Sequence, residues 1–396
     1  MKNFIDNYLL GLIIGINTIF LFSAVFIFPA NVPWVDDWQW IENLYTYDIN
    51  YYLWLIKLEN IHNHLTVKLL ISFSKYFLNF NFQFFSYFSI LLIFLSSLMV
   101  SNKLIKLNYS KTFICLIILI IFSSKQFPSI SQMSNVSWFI SFFLIVVFYY
   151  YFQFNKINLL SIACIFIAPL TLGFGILIPF YVIIISMILR TNKEYRVIYF
   201  LLSLLSIFFA FIFPRFLFST YSNIVFIDYL NFFTINFVTK FLFTYFTVFG
   251  SIAVPWIERL NIISFVIGLL QFLILLVFFI IFYRKNNNKF DYIRKFILDN
   301  PLLIMGMIFP LIISFTRADW VTGIQPRYVT GTILFQIGYF MYFYKVLVNT
   351  KFYKAFINIM IFFVSITFLV GNFTPYLGLH WQITKSYRSF LVFSFR

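Results

Sequence analysis

Three short stretches of this chain hold residue types that can do chemistry. In "NVPWVDDWQWIENL", Asn31 to Leu44, two adjacent carboxylates, Asp36 and Asp37, stand among Trp34, Trp38 and Trp40. The tryptophans suit a membrane interface, where amphipathic rings favour the headgroup layer. Two neighbouring anions repel each other and repel anionic lipid, so the pair fits best where something cationic or protonatable meets it. A carboxylate so placed can act as general base on a hydroxyl or ligate a hard divalent cation. The plainer alternative is a pair of solvated loop residues. In "LENIHNHLTVKLL", Leu58 to Leu70, Glu59, His62 and His64 cluster. Glu59 and His62 share a helix face at i, i+3, whereas His62 and His64 do not. The residue types suit acid–base work, without the H-E-x-x-H spacing of a catalytic zinc site; a polar segment lying on the membrane accounts for them equally. In "TRADWVTGIQPRY", Thr316 to Tyr328, Arg317 and Arg327 flank Asp319, and Tyr328 follows at the entrance of an apolar run. A guanidinium grips phosphate at two points and Asp319 can orient one of them, although snorkelling anchors are the simpler explanation.

The elements that must position these residues are set by composition. The chain has 396 residues, 62% hydrophobic and only 10% charged, far below the roughly quarter of charged residues that a soluble domain carries. Unbroken apolar runs near the ~20 residues needed to cross hydrocarbon recur along it, unlike the short alternating segments of a membrane barrel. The expected fold is therefore all-α: a polytopic membrane helix bundle in one integral membrane domain, 1–396. Expected spans are 8–28, 82–100, 112–122, 137–152, 158–171, 174–189, 197–213, 263–283, 301–315, 329–347 and 352–371, about eleven. The first apolar run is too long for a signal-peptide core and reads as an uncleaved span.

Charge sets the orientation. With a cytoplasmic N-terminus, the inner segments 1–7, 101–111, 153–157, 190–196, 284–300 and about 345–354 hold sixteen of the 28 Lys and Arg residues, while eight of the 12 Asp and Glu residues fall outside. That is the positive-inside asymmetry. Three outer regions follow. The first, 29–81, carries the acidic pair and interfacial helices. The second, 214–262, contains an apolar stretch, Phe241 to Pro255, that must start and finish outside and so is re-entrant or interfacial; Gly250, Pro255 and Trp256 support a break there. The third is 316–328. The run "APLTLGFGILIP", with Pro169, Gly173, Gly175 and Pro179, reads as a tight outer turn.

Several chemistries are disfavoured. The net charge of +16 is scattered among apolar segments, so it marks topology and not nucleic-acid binding. Cys115 and Cys164 both lie inside apolar runs, which disfavours a disulfide framework or zinc site. The 12 glycines form neither G-x-G-x-x-G nor a P-loop, against a nucleotide site. Nearly every charge sits at a span end, whereas proton-coupled transporters carry ionisable groups inside their spans.

A first span followed by a long outer loop opening with a D-D pair resembles the GT-C superfamily of membrane glycosyltransferases. Chain length and the lack of a soluble domain are similar to the serotype-converting glucosyltransferases that decorate O-antigen. The resemblance implies sugar transfer, of glucose for example, from a polyprenyl-phosphate carrier to a glycan or lipid-linked glycan at the periplasmic face of a bacterial inner membrane. It places the catalytic carboxylate on Asp36 or Asp37, with a divalent cation as the one cofactor they could hold, and the phosphate-handling cation on Arg317 or Arg327. "ENIHNHLTVK" is loosely similar to a His/Glu/Arg cluster in bacterial members and lacks its arginine. Partners would then be the lipid donor, the acceptor glycan and membrane lipid. A lipid-linked glycan flippase and an O-antigen polymerase are the alternatives.

Overall fold

The computed structural model describes residues 2–27, 41, 51–58, 64–130, 132–189, 193–217, 234–253, 261–317 and 328–369. Among these, every regular element is a helix. In a chain apolar almost throughout, helix starts are fixed by capping side chains more than by hydrophobic pattern. Helix α1 is Lys2–Ile27, and two shorter helices, α2 (Tyr51–Ile56) and α3 (Leu65–Phe77), precede α4 (Gln83–Lys106). Next comes α5 (Lys111–Ile121), where the Ser110 hydroxyl accepts from the Phe113 amide. A 3-10 turn, Ser124–Gln126, and the four-residue α6 (Phe127–Ile130) lead to α7 (Val136–Tyr151). Asn158 caps α8 (Leu159–Ile167) through the amides of Leu160 and Ser161. Helix α9 (Leu177–Ile188) is followed by α10 (Lys193–Ile207), a π-helical turn and α11 (Phe213–Leu217). Thr234 caps α12 (Ile235–Gly250), and α13 (Asn261–Lys285) follows a 3-10 turn at Ser251–Ala253. Asn288 caps α14 (Lys289–Asp299), then come α15 (Pro301–Arg317), α16 (Tyr328–Leu347) and α17 (Tyr353–Leu369). Each such cap satisfies an otherwise orphaned backbone donor.

Five stretches, Leu9–Ile27, Gln83–Lys106, Lys193–Leu217, Ile235–Ala253 and Asn261–Lys285, are long and apolar enough to cross a membrane; α14 with α15, bent by 86°, adds a sixth if the bent pair counts as one span. Leu12, Ile19 and Phe26 on α1 are 58%, 66% and 77% exposed, a face that water penalises and hydrocarbon does not. The chain is a helical membrane protein. The expected count of about eleven crossings is met less directly, because several expected spans are short helices: α5, α7, α17 and the unit Gly173–Ile188 each run 10 to 17 residues. At 1.5 Å per residue these do not cross ~30 Å of hydrocarbon as helix alone.

The centre of the bundle is α16, buried at every position from Tyr328 to Tyr344. Its Gln336 exchanges hydrogen bonds with Gln271 of α13 at 3.1 Å, polar glue of the kind that fixes helix register in apolar surroundings. Against α15 it lies antiparallel. A Cβ on Gly331 would meet the Phe309 ring at 2.3 Å, one on Gly306 the Phe335 Cα at 2.4 Å, and one on Gly338 the Leu303 nitrogen at 2.2 Å. Only glycine permits this approach, as in small-residue packing between membrane helices generally.

These pairings define two ends, and the contacts assign every other element to them. At the Tyr344 end, the Tyr344 hydroxyl accepts from the Ser110 amide, Tyr109 packs on Tyr344 at 4.7 Å, and Lys345 donates to the Asp299 carbonyl. Asn102 and Lys106 donate to Tyr150, and Tyr199 donates to the Lys156 carbonyl. All five basic segments after residue 100 expected inside thus have described parts at this one end. The Tyr328 end carries the C-terminus of α1, since Phe22 stacks on Tyr87 near the start of α4 at 5.5 Å. It also carries the turn before α9, since Phe174 stacks on Trp138 at 5.5 Å. In that turn a Cβ on Gly175 would lie 1.9 Å from the Ala168 carbonyl oxygen, which is why the tight reversal needs glycine.

Helix α12 starts at the Tyr328 end. Its Phe241 packs on Phe315 near the end of α15 at 4.7 Å, and Phe249 reaches Phe335, half-way along α16, at 4.1 Å. A Cβ on Gly250 would then collide with Ser264, early in α13. Though long enough by residue count to cross, the segment descends from the Tyr328 end only to mid-bundle, and α13 starts again ten residues before the Gln271–Gln336 bond.

In the first loop, α3 buries Val67, Lys68, Ile71, Ser72 and Ser74 on one face and exposes Phe73, Tyr76 and Phe77. The Lys68 ammonium, 5.3 Å from the Trp54 ring centroid, donates to the Trp54 and Lys57 carbonyls at 2.8 and 2.6 Å. It thereby ties α3 to the carboxyl end of α2. Replacing Lys68 with Met should lower the melting temperature and open the 51–64 region to protease, since hydrogen bonds from a charged donor contribute about 1.5–3 kcal/mol. Lys68→Arg should recover most of the loss. An unchanged melting curve for Lys68→Met would show that the tie contributes nothing.

Candidate functional site

The sequence-predicted residues fall unevenly on the described chain. Asp36, Asp37, Glu59, His62, Asp319 and Arg327 lie outside the described residues, and Arg317 is described only as the last backbone position of α15. His64 is buried immediately before α3, and Tyr328 is buried at the start of α16. What the helices do settle is where the stretches carrying these residues begin and end. Ile27, from which the acidic-pair stretch continues, is at the Tyr328 end. So is Gln83, which closes the first loop. Arg317 and Tyr328, antiparallel neighbours, bound the third loop at that same end. The carboxylate-bearing and arginine-bearing loops therefore leave the bundle from one side.

Beneath these loops lies a cluster that the sequence reading passed over. Tyr328 sets its ring edge-on to Trp138 at 5.9 Å, and Trp138 in turn meets Phe174 and Phe309. Next to this aromatic floor, the polar turn after α5 folds inward instead of facing solvent. Lys125 and Ser129 are fully buried, and Ser123 and Gln126 nearly so. Gln126 caps the end of α5 through the Ile121 carbonyl at 2.7 Å and accepts from Thr330 of α16 at 3.1 Å. The Lys125 ammonium donates to the Ser251 carbonyl in the turn that ends α12. Two helix breaks, 122–130 and 251–253, so meet around one ammonium. Lying in the turn between two spans, Lys125 is held well below the usual lysine range by burial. The hydroxyls of Ser123, Ser129, Ser251, Thr247 and Ser264 are buried without a hydrogen-bond partner.

Lys125, in the turn between two spans, and Lys68, in the first loop, lie outside the expected spans, yet both are buried among helices. The signal for Lys125 was present: "SSKQFPSISQ" is a dense polar run directly after an apolar one. It was readable as a turn but not as a turn folded into the bundle. Among the described residues no group of three His, Cys, Asp or Glu side chains comes together to hold a metal. Comparison with known proteins finds no match to a family model, a curated protein or a solved structure.

Proposed function

We propose that this protein is a membrane glycosyltransferase that moves a sugar from a polyprenyl-phosphate carrier to a glycan at the periplasmic face of a bacterial inner membrane. The observation that carries this reading is the common exit of the Asp36/Asp37 loop and the Arg317–Arg327 loop at the Tyr328 end of the bundle. One of Asp36 and Asp37 takes the proton of the acceptor hydroxyl as its oxygen bonds to the anomeric carbon. The bond from that carbon to the carrier phosphate breaks, and its electron pair leaves with the phosphate. Arg317 and Arg327 meet the charge that develops there, with Asp319 orienting one of them and the buried Tyr328 at the start of α16 beneath them. Glu59, His62 and His64 would contribute to substrate binding, and a divalent cation, where used, would rest on the acidic pair. Preorganised cations opposite a leaving phosphate often supply the largest single share of catalysis. A cytoplasmic Tyr344 end, about eleven crossings and a half-crossing α12 complete the topology.

A lipid-linked glycan flippase is the second reading, favoured by one observation: Lys125 is buried within the bundle, where a translocation path would want a cation.

The arginines separate binding from mere charge. Arg327→Lys and Arg317→Lys keep the charge but lose the planar two-point grip. At least one should raise the apparent KM for the lipid donor by about tenfold, one lost charge-assisted hydrogen bond. Full activity with unchanged donor KM in both would place the phosphate elsewhere.

A further inference from the structure

We infer that the Tyr344 end of the bundle carries a site for one anionic phospholipid, its phosphate held where the end of α4 meets the end of α7. The inference does not depend on the reaction proposed for the opposite end. Three donors converge on Tyr150. Asn102 and Lys106 of α4 both donate to its hydroxyl, at 3.0 and 2.6 Å. Lys103 donates to its backbone carbonyl at 3.2 Å. The Lys103 ammonium also lies 5.5 and 5.8 Å from the ring centroids of Tyr149 and Tyr150, and that of Lys106 lies 5.0 Å from the Tyr150 ring. Two like charges are thus drawn onto one neutral residue, an arrangement that repulsion disfavours on a helix. Among the described residues no carboxylate pairs with either ammonium. The Tyr150 oxygen accepts twice, and its own proton goes to no described partner, so it is left to donate.

An anionic headgroup answers each of these features. Its phosphate oxygens accept hydrogens from both ammoniums, the Asn102 amide and the Tyr150 hydroxyl, while offsetting the paired charge. The depth fits as well. Helix α4 has 24 residues, a rise of about 36 Å against ~30 Å of hydrocarbon, so its last turn reaches the headgroup layer. Asn102 and Lys106 are exposed there. On the same face of α4, nearer the middle of the span, Leu91 and Leu98 are exposed too. They give an acyl chain apolar cover directly below the phosphate. A free phosphate uses the cations but not that face, and a zwitterionic lipid brings its own cation towards two others. Basic pockets between membrane helices suit anionic headgroups for these reasons.

The test titrates the full chain in neutral detergent with three probes: phosphatidylglycerol, phosphatidylcholine with the same acyl chains, and glycerol 3-phosphate. Native mass spectrometry reads binding, and thermal melting reads stability. Phosphatidylglycerol should bind at least about tenfold more tightly than phosphatidylcholine, the combined contribution of two lysines near an anionic headgroup. Lys106→Gln should lose about fivefold of that, one lysine's share, and Lys103→Gln with Lys106→Gln should remove the preference. Tyr150→Phe keeps the ring and every charge, so it should weaken phosphatidylglycerol several-fold and leave phosphatidylcholine as it was. Lys289→Gln, at an exposed lysine of the same end that lies over Tyr283 instead, should bind like the parent. Without lipid, Lys106→Gln should melt like the parent and lose only the rise that phosphatidylglycerol gives. A purely structural role would lower the lipid-free melting temperature and leave the lipid preference intact. Equal binding of the two lipids by the parent overturns the site. A loss in Lys289→Gln as large as in Lys106→Gln overturns it in favour of diffuse charge. Full preference in Tyr150→Phe overturns it too, since Tyr150 is what gathers the donors. Glycerol 3-phosphate binding as tightly as phosphatidylglycerol overturns the assignment to a lipid.

Discussion

Asn at one of positions 36 and 37 should abolish glycan modification, and Asn at the other should only reduce it. If the stretch is extended, successive side chains face opposite ways, and two adjacent aspartates cannot both reach one acceptor hydroxyl. One is then the base, and the other orients it or helps hold a cation. General-base catalysis contributes typically ~10²–10⁴-fold, so loss at the base position should be at least about a hundredfold. Asn keeps size and polarity, so lost transfer at normal membrane abundance points to missing basicity and not to misfolding. Glu42→Gln, a nearby acidic change, should leave activity within a few-fold of the parent. If both Asp→Asn variants modify glycan like the parent, the pair is only a solvated rim.

The largest effect on the fold should come from Gly338→Leu. A Cβ at this position would sit 2.2 Å from the Leu303 nitrogen and 2.5 Å from its Cα. Those are backbone atoms of the neighbouring helix and cannot swing aside, so α15 and α16 must separate. Since α16 is buried along its length, separation there disturbs every helix around it. Inserting even single methylenes into a packed core costs about 1–3 kcal/mol, and a whole leucine between two backbones exceeds that. The variant should lose its monodisperse elution peak and accumulate poorly. Gly15→Leu on α1, where nothing lies within 4 Å of the added carbon, should behave like the parent. Normal elution of Gly338→Leu would show that the α15–α16 approach is not what holds the centre together.

Much of the architecture was legible in the sequence because charge and capping report it directly. The basic segments around Lys103, Lys156, Arg196, Arg284 and Lys345 gather at one end, as their bias suggested, and the Gly-rich turn at 173–175 lies at the other. Parity made the stretch around α12 an expected re-entrant or interfacial segment; in the structure α12 runs from Phe315 near the end of α15 to Phe335 in the middle of α16. What composition could not show is depth. When almost every segment is apolar, periodicity does not separate a central helix from a lipid-facing one. α16 carries Thr330, Gln336 and several tyrosines because protein surrounds it, whereas α13 is more apolar and mostly exposed. For the same reason the polar run after α5 does not announce that it folds inward. Its inward fold depends on partners at Ser251 and Thr330, which are more than a hundred residues away in sequence. Lys68 was hidden likewise, its role set by the carbonyls at the end of α2. The candidate site was legible only as residue types and as the helix ends that bound their loops; the buried Lys125 was not.

The most direct test of the account is a transfer assay in proteoliposomes holding purified protein, a polyprenyl-phosphate carrier bearing labelled sugar, and glycan acceptor on one side. The account predicts that label moves to the acceptor as bare carrier phosphate appears, in a manner that depends on Asp36 or Asp37. Label that crosses to the other leaflet while still joined to its carrier, with no transfer to acceptor, would contradict it.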